Sequence, residues 1–179
     1  MGSKENIHIL GISGSLRSDS SNTNILNVIA DLLPDYVTFK IFQQLGQISP
    51  FSPGEEENDA VRDLKNDILN ANGVIICTPE YAFGIPGTLK NALDWTVSTG
   101  EFNDKPVSAI SASPLNSGGD KALASLLLTL TALGTKRNGH SSLSIPNIKI
   151  KMNAFGKLTD QQTIDALQFQ TNNLLELIG

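Results

Sequence analysis

Two kinds of hydrophobic pattern alternate along the chain, one typical of strands and the other typical of helices. Residues 73–78 (Gly-Val-Ile-Ile-Cys-Thr) form a continuous apolar run, as expected of a strand that is buried on both faces. Residues 56–71 instead repeat apolar positions at helical spacing. The inner face of that helix would consist of Val61, Leu64, Ile68 and Leu69.

The same criteria divide most of the chain into strands and helices. The predicted strands cover residues 7–12, 37–42, 73–78, 106–111 and 140–145. The predicted helices cover residues 22–33, 56–71, 86–98, 119–133 and 159–178. Regular alternation of this kind indicates the α/β class, with a five-stranded parallel sheet and helices on both faces.

The predicted fold directs attention to three loops. Right-handed crossovers restrict the topology to a few choices, and ligands of such sheets bind beyond the carboxyl ends of the strands. The loops after the first, third and fourth strands are therefore the candidate site. The length of 179 residues fits a single domain, residues 1–179.

Composition narrows the possible partners. The 13 Lys and Arg against 18 Asp and Glu give a net charge of −5, which argues against a nucleic-acid or membrane surface as partner. Cys77 is the one cysteine, so neither an intramolecular disulfide nor a cysteine-based zinc site can form, and we expect no metal site. The first residues lack a signal peptide's apolar core, and no stretch approaches the roughly 20 apolar residues of a membrane span. We therefore expect a cytoplasmic protein.

The first loop, residues 11–22, has the composition of a phosphate site. It joins a buried strand to a helix N-terminus, where exposed N–H groups and the helix dipole favour an anion. Arg17 can offer a planar fork to phosphate oxygens. Further hydrogen-bond donors are Ser15, Ser20 and Asn22. The alternative is a solvated loop in which Ser or Asn only caps the helix.

Competing motifs fail in this loop. The dinucleotide pattern GxGxxG and the phosphate-loop pattern GxxxxGK[ST] are both absent. Residues 11–15 nearly match the hydrolase elbow GxSxG, but Ser15 replaces the last glycine. The available bases are His8 and His140, and His8 precedes the loop within the first strand. A serine hydrolase is therefore disfavoured.

The second and third loops offer rings and close backbone approach. Tyr81 and Phe83 lie in a Pro- and Gly-rich turn where a flat ring could pack, although they could equally fix the loop to the protein. In the third loop, Gly118 and Gly119 allow the backbone to approach a ligand, and Asp120 is expected to support a helix N-terminus. Packing, capping or a subunit contact is expected for Lys90, Asn91, Asp94 and Trp95.

Taken together, these loops resemble the NADPH-dependent FMN reductase family, which includes quinone, chromate and azo-dye reductases. Residues 14–22 match the family pattern GSxRxxSxN in full, and residues 79–95 (PEYAFGIPGTLKNALDW) follow PEYNxSxPGxLKNAxDW. A Ser/Gly loop at residues 113–119 completes the likeness, which covers about residues 7–133. The sequence departs from the family pattern at Ala82, Gly84 and Leu115.

The resemblance implies a flavodoxin-like sheet of order 2-1-3-4-5, with FMN as cofactor and NADPH or NADH as reductant. It implies a small-molecule acceptor such as a quinone, free flavin, azo compound or metal oxyanion, and a homodimer or homotetramer. The implied phosphate-binding residues are Ser15, Arg17, Ser20 and Asn22. Those along the ribityl chain and ring are Pro79, Glu80, Tyr81, Ala82 and Phe83, with Ser113, Gly118 and Gly119 nearby.

In this interpretation no side chain is catalytic, because the cofactor carries the chemistry. Cys77 lies in an apolar strand and is expected to be a buried packing residue. Two alternatives remain: a flavodoxin-type electron carrier, which Arg17 disfavours, and a flavin-binding module without catalysis.

Overall fold

The computed structural model of the chain describes residues 6–179, so the expectations about residues 1–5 lie outside the described part. The strands within that part are β1 (Ile7–Ser13), β2 (Val37–Ile41), β3 (Gly73–Thr78), β4 (Val107–Ala112) and β5 (Ser142–Ile145). The helices are α1 (Ser21–Leu32), α2 (Asp59–Asn70), α3 (Gly87–Asp94), α4 (Asp120–Ala132) and α5 (Gln161–Ile178). Short 3-10 helices cover Leu45–Gln47 and Ile148–Lys151. The predicted alternation of strands and helices is confirmed.

The strands form one parallel sheet in the order β2-β1-β3-β4-β5. In the register, Ser13 pairs with Cys77 and Thr78 pairs with Ser111. The carboxyl ends of β1, β3 and β4 therefore lie side by side at one edge, which brings the three candidate loops together. The sheet order confirms the flavodoxin-like topology that the resemblance implies.

Side chains of β3 alternate between two apolar layers, which explains its continuous apolar run. Ile75 and Cys77 face the layer that α1 and α5 cover. Val74 and Ile76 face the layer that α2, α3 and α4 cover. The central strands are therefore buried on both faces, and the carboxyl ends of the strands are the part that remains available to a ligand.

Two sequence expectations need correction or resolution. Leu69, predicted on the inner face of α2, is 59% exposed, because α2 turns only its Val61, Leu64 and Ile68 side towards the sheet. Trp95, left open between packing and a subunit contact, belongs to the core. Its Nε1 donates to the carbonyl of Ser49 at 2.8 Å.

The third predicted helix is shorter than expected, because α3 ends at Asp94 and turns occupy the following residues. Within residues 6–179, no helix combines the length and the apolar character that crossing a bilayer requires.

Candidate functional site

A cavity of about 210 Å³ lies at the carboxyl edge of the sheet, between the three loops. It is called the edge cavity below. Predicted residues that line it are Ser15, Arg17, Ser20, Asn22, Pro79, Glu80, Tyr81 and Ser113. Its other lining residues are Ser21, Ala112, Pro114, Ile148 and Lys149. The predicted Ala82, Phe83, Gly118 and Gly119 lie outside this lining.

The first loop passes close to the end of β3 before it enters α1. Gly14 donates its N–H to the carbonyl of Cys77 at 2.8 Å, and a Cβ at Gly14 would lie 3.0 Å from Thr78 Oγ1. Glycine is therefore the residue that allows this approach. Ser20 then caps α1, because its Oγ accepts the N–H of Asn22 at 3.2 Å.

Asn22 connects the start of α1 to β3. Its side chain is buried, and its Oδ1 accepts a hydrogen bond from Cys77 Sγ at 3.3 Å. Burial raises the pKa of the Cys77 thiol, which keeps the S–H available as donor. Cys77 is thus the buried packing residue that the sequence predicts, and it fixes the position of the helix start.

Arg17 does not extend freely into the edge cavity. Its Nε and Nη2 donate to Asp19 Oδ1 at 3.2 and 3.1 Å, and Nη2 also donates to Oδ2 at 3.1 Å. The two side chains are 62% and 74% exposed. The hydrogen bonds from Arg17 hold the pKa of the Asp19 carboxyl below its usual range.

The N-terminus of α1 suits an anion better than the N-termini of α2 and α4. No acidic residue lies in the first turn of α1, whereas α2 has Asp59 and α4 has Asp120 there. Helix dipoles attract negative charge at this end, and in α2 and α4 the protein supplies that charge itself. At α1 the edge cavity is lined by hydroxyls and cations instead, a donor set that fits a phosphate group.

The second loop forms a tight turn over Tyr81–Gly84. Tyr81 and Gly84 exchange backbone hydrogen bonds of 2.9 and 3.0 Å. Both central residues have positive φ, 48° at Ala82 and 61° at Phe83, as in a type I′ turn. The turn leaves Phe83 79% exposed and Tyr81 exposed as well. The aromatic side chains therefore do not anchor the loop by burial, one of the two possibilities that the sequence left open.

Glu80 has a structural partner at the start of α4. Its Oε2 accepts the N–H of Ala122 at 2.9 Å, so the carboxylate caps that helix. This contact joins the second loop to the third. Asp120, which was expected to support the helix N-terminus, lies in the first turn of the same helix.

Gly118 and Gly119 serve the packing of the third loop. Their φ values are 64° and 81°, and a Cβ at Gly118 would lie 2.9 Å from the backbone nitrogen of Pro146. Ser111 Oγ also donates to the carbonyl of Gly118 at 2.8 Å. The close approach at Gly118 is therefore made to the end of β5 and to Pro146, whereas a Cβ at Gly119 would meet Ser111 and Glu80.

Lys149 lines the edge cavity and was missed by the sequence analysis. It belongs to the 3-10 helix Ile148–Lys151, which two backbone hydrogen bonds attach to the third loop. Ile148 donates to the carbonyl of Ser113 at 3.0 Å, and Asn147 donates to that of Leu115 at 3.1 Å. The available signal was a pair of lysines, Lys149 and Lys151, four and six residues after the end of the fifth predicted strand.

Neither histidine is placed to act as base for a serine nucleophile in this cavity. His8 bonds through Nδ1 to Thr38 Oγ1 on the neighbouring strand β2. His140 packs edge-on against Phe169, with ring centroids 5.3 Å apart. Neither lines the edge cavity, which agrees with the rejection of the hydrolase motif.

Comparison with solved structures shows the same architecture throughout the chain. FerB, a flavoenzyme described as an NAD(P)H:(acceptor) oxidoreductase from Paracoccus denitrificans, superimposes with a TM-score of 0.86 at 27% identity. The match covers 96% of this chain and 97% of FerB.

Comparison with curated sequences gives full-length relatives. An NAD(P)H-dependent FMN reductase of Pseudomonas aeruginosa is 30% identical over 178 residues, which cover 95% of this chain and 94% of the relative. A quinone reductase of Escherichia coli is 27% identical, with 97% and 96% covered. The sequence pattern that defines the NADPH-dependent FMN reductase family matches residues 7–149. This protein therefore belongs to the NADPH-dependent FMN reductase family.

Proposed function

We propose that this protein binds FMN at the carboxyl edge of its sheet and uses NADPH or NADH to reduce a small acceptor of the quinone class. The observation that carries the proposal is the edge cavity itself. It combines the N-terminus of α1, several hydroxyls and the cations Arg17 and Lys149, with the aromatic turn at Tyr81–Gly84 beside it. Family membership and the full-length relatives support the same activity.

The size of the edge cavity indicates which part of FMN it would hold. Its volume of about 210 Å³ is smaller than the roughly 300–1,000 Å³ of a site that encloses a drug-sized ligand. The phosphate and ribityl chain would therefore occupy the cavity. The phosphate would meet Ser15, Arg17, Ser20 and Asn22 at the start of α1, where the donors and positive charge lie.

The flavin ring would lie outside the cavity, against the second and third loops. Residues proposed to border it are Pro79, Glu80, Tyr81, Ala82, Phe83, Ser113, Gly118 and Gly119. When bound, FMN supplies the redox chemistry by accepting hydride from the nicotinamide and passing electrons to the acceptor. The protein's part is to hold the phosphate, set the position of the ring and leave one of its faces open.

The rim of the site favours flat apolar acceptors. Large hydrophobic side chains are exposed on the three loops, namely Leu16, Tyr81, Phe83 and Leu115. Ala82 and Gly84 offer no side-chain hydrogen bonds where the family pattern has Asn and Ser. With few polar groups to discriminate among acceptors, the site should accept several quinones and related flat molecules.

We also propose that residues 1–179 form a single domain that acts in the cytoplasm as a homodimer or homotetramer. Within the described part, Val97 and Leu128 are exposed apolar side chains in the layer of α2, α3 and α4. A second copy of the chain packed on that layer would cover them.

Replacing Arg17 tests the phosphate end of the proposal. A hydrogen bond to a charged group contributes about 1.5–3 kcal/mol, so Arg17→Ala should weaken FMN binding roughly tenfold to hundredfold. Riboflavin, which lacks the phosphate, should bind the variant and the original protein equally well. Fluorescence titration measures both affinities.

Arg62→Ala is the matched control, because Arg62 is also an exposed arginine paired with an aspartate, on α2. It should leave both affinities unchanged. Equal losses for FMN and riboflavin in Arg17→Ala would show that Arg17 does not contact the phosphate.

A further inference from the structure

The arginine that would meet the FMN phosphate is already bonded to a carboxylate of the same loop. Arg17 donates three hydrogen bonds of 3.1–3.2 Å to Asp19, in the side-on geometry that a guanidinium also offers to phosphate oxygens. The Nε and one Nη of Arg17 can serve one bidentate acceptor at a time. A phosphate that approaches this edge of the guanidinium must therefore displace Asp19.

The pair is weak enough to exchange. Both side chains are mostly exposed, and exposed ion pairs contribute little to stability because water and salt screen them. A phosphate monoester carries about −1.5 to −2 charges near pH 7, more than the single charge of Asp19. Displacement of the carboxylate is thus favourable, but it reduces the affinity for FMN.

Asp19 neutralises the positive charge of Arg17, and Lys149 provides a second positive charge beside the same cavity. It lines the edge cavity together with Arg17. It also lines an adjoining cavity of about 390 Å³ together with Asp19. Its ammonium group forms no hydrogen bond or ion pair with any residue that the structure describes. After the hydrogen bond and the charge of Arg17, the positive charge of Lys149 also lowers the pKa of Asp19.

We propose that Asp19 competes with the FMN phosphate for Arg17 and that Lys149 is the second cation facing that phosphate. Asp19 then acts through Arg17 and Lys149 acts on the phosphate itself, and together they set how strongly the site prefers FMN over riboflavin. Asp19 lowers this preference by occupying Arg17, and Lys149 raises it by attraction across the edge cavity. The inference rests on the proposed FMN site.

Affinities for FMN and riboflavin, measured by fluorescence titration at low and high salt, test both roles. Asp19→Asn should tighten FMN binding about two- to fivefold, the factor that corresponds to an exposed ion pair. Lys149→Met should weaken FMN binding about three- to tenfold, less than Arg17→Ala because an ammonium lacks the bidentate fork. Riboflavin binding should not change in either variant, and the FMN effects should shrink at high salt.

Two controls make the same charge changes elsewhere. Asp31→Asn removes a carboxylate near the far end of α1, about 15 Å along the helix from its start. Lys157→Met removes an exposed lysine that lines neither cavity. Both controls should leave the ratio of FMN to riboflavin affinity unchanged. If the effects came from net charge alone, the ratio would change in all four variants.

Combining Asp19→Asn with Arg17→Ala distinguishes competition for Arg17 from simple repulsion between the Asp19 carboxylate and the phosphate. Competition predicts that the gain from Asp19→Asn falls sharply once Arg17 is absent. A gain that stays as large in the Arg17→Ala background would overturn the competition, as would an Asp19→Asn variant with an unchanged ratio. An unchanged ratio in Lys149→Met would remove Lys149 from the site. If the original protein does not prefer FMN over riboflavin at all, the proposed function fails instead.

Discussion

Ala82 has a backbone conformation that L-residues with a Cβ rarely adopt. With Phe83 it forms the centre of the turn at Tyr81–Gly84, and both have positive φ. Such conformations cost about 1–3 kcal/mol each for residues other than glycine. The family pattern places Asn at position 82, a residue that tolerates this region better. The turn beside the proposed flavin ring is therefore strained in this protein.

Ala82→Asn should relieve part of this strain. We expect about 0.5–1 kcal/mol of added stability, and a melting temperature higher by roughly 1–4 °C. Urea unfolding and thermal melting measure these quantities. Ala154→Asn is the control, because Ala154 is also exposed in a turn but is not among the residues with positive φ. A loss of stability in Ala82→Asn, with no change in the control, would contradict the claim that the turn is strained at Ala82.

Several side-chain positions followed from the sequence, and others could not. Cys77 is buried because its strand is apolar throughout, and Ser20 caps α1 because its type and place suit a cap. Glu80 is different, since its partner is the backbone of Ala122, 42 residues away. The position of Lys149 likewise depends on hydrogen bonds between two loops. Local patterns carry no information about such distant partners.

The capping carboxylate of Asp160 makes the stability of α5 depend on pH. Asp160 is the N-cap of α5, where its Oδ2 accepts the N–H of Thr163 at 3.0 Å. Hydrogen bonds from Thr163, aided by Lys151, lower the pKa of Asp160. A lowered pKa in the folded state means that the stabilisation is complete above the unfolded value of about 3.9 and is lost as the pH falls through the folded pKa.

We therefore expect Asp160→Asn to change the acid side of the stability curve. Asparagine still caps a helix, so the variant should fold, but it should be less stable than the original protein at pH 7. The difference should shrink below about pH 4. Urea unfolding at several pH values measures it, and a difference that is constant from pH 7 to pH 3 would exclude the assigned role.

The types of the helices and strands were predictable, and their ends were less so. Continuous apolar runs identified β3, and helical spacing identified α2. The end of α3 at Asp94 was not predicted, because the turns after it are stabilised by packing around Trp95 and Phe102 in the core. Tertiary packing of this kind has no local pattern in the sequence.

The order of the strands required the family resemblance in addition to the alternation of elements. Alternation predicts a parallel sheet, but right-handed crossovers still allow several orders. The observed order places the ends of β1, β3 and β4 together, and this arrangement creates the edge cavity. The chemistry of the site therefore depends on the whole topology, although most of its lining comes from local motifs.

The proposed assembly can be tested on the intact chain. We expect light scattering at micromolar concentration to give the mass of a dimer or tetramer of the 19.1 kDa chain. Leu128→Glu should lower that mass if the layer of α2, α3 and α4 is the contact, because burying an unpaired charge is unfavourable. Lys121→Glu, on the same helix, is a charge-changing control. A monomer in the unmodified protein would contradict the assembly.

The most direct test of the proposed function is the visible spectrum of the FMN-loaded protein under anaerobic conditions. We expect NADPH or NADH alone to remove the visible absorbance of FMN at a rate no slower than turnover, and a quinone added afterwards to restore it. An electron carrier or a non-catalytic module would keep its absorbance when the nicotinamide is added. Absorbance that stays unchanged with both nucleotides would contradict the proposed reductase activity, even if FMN binds.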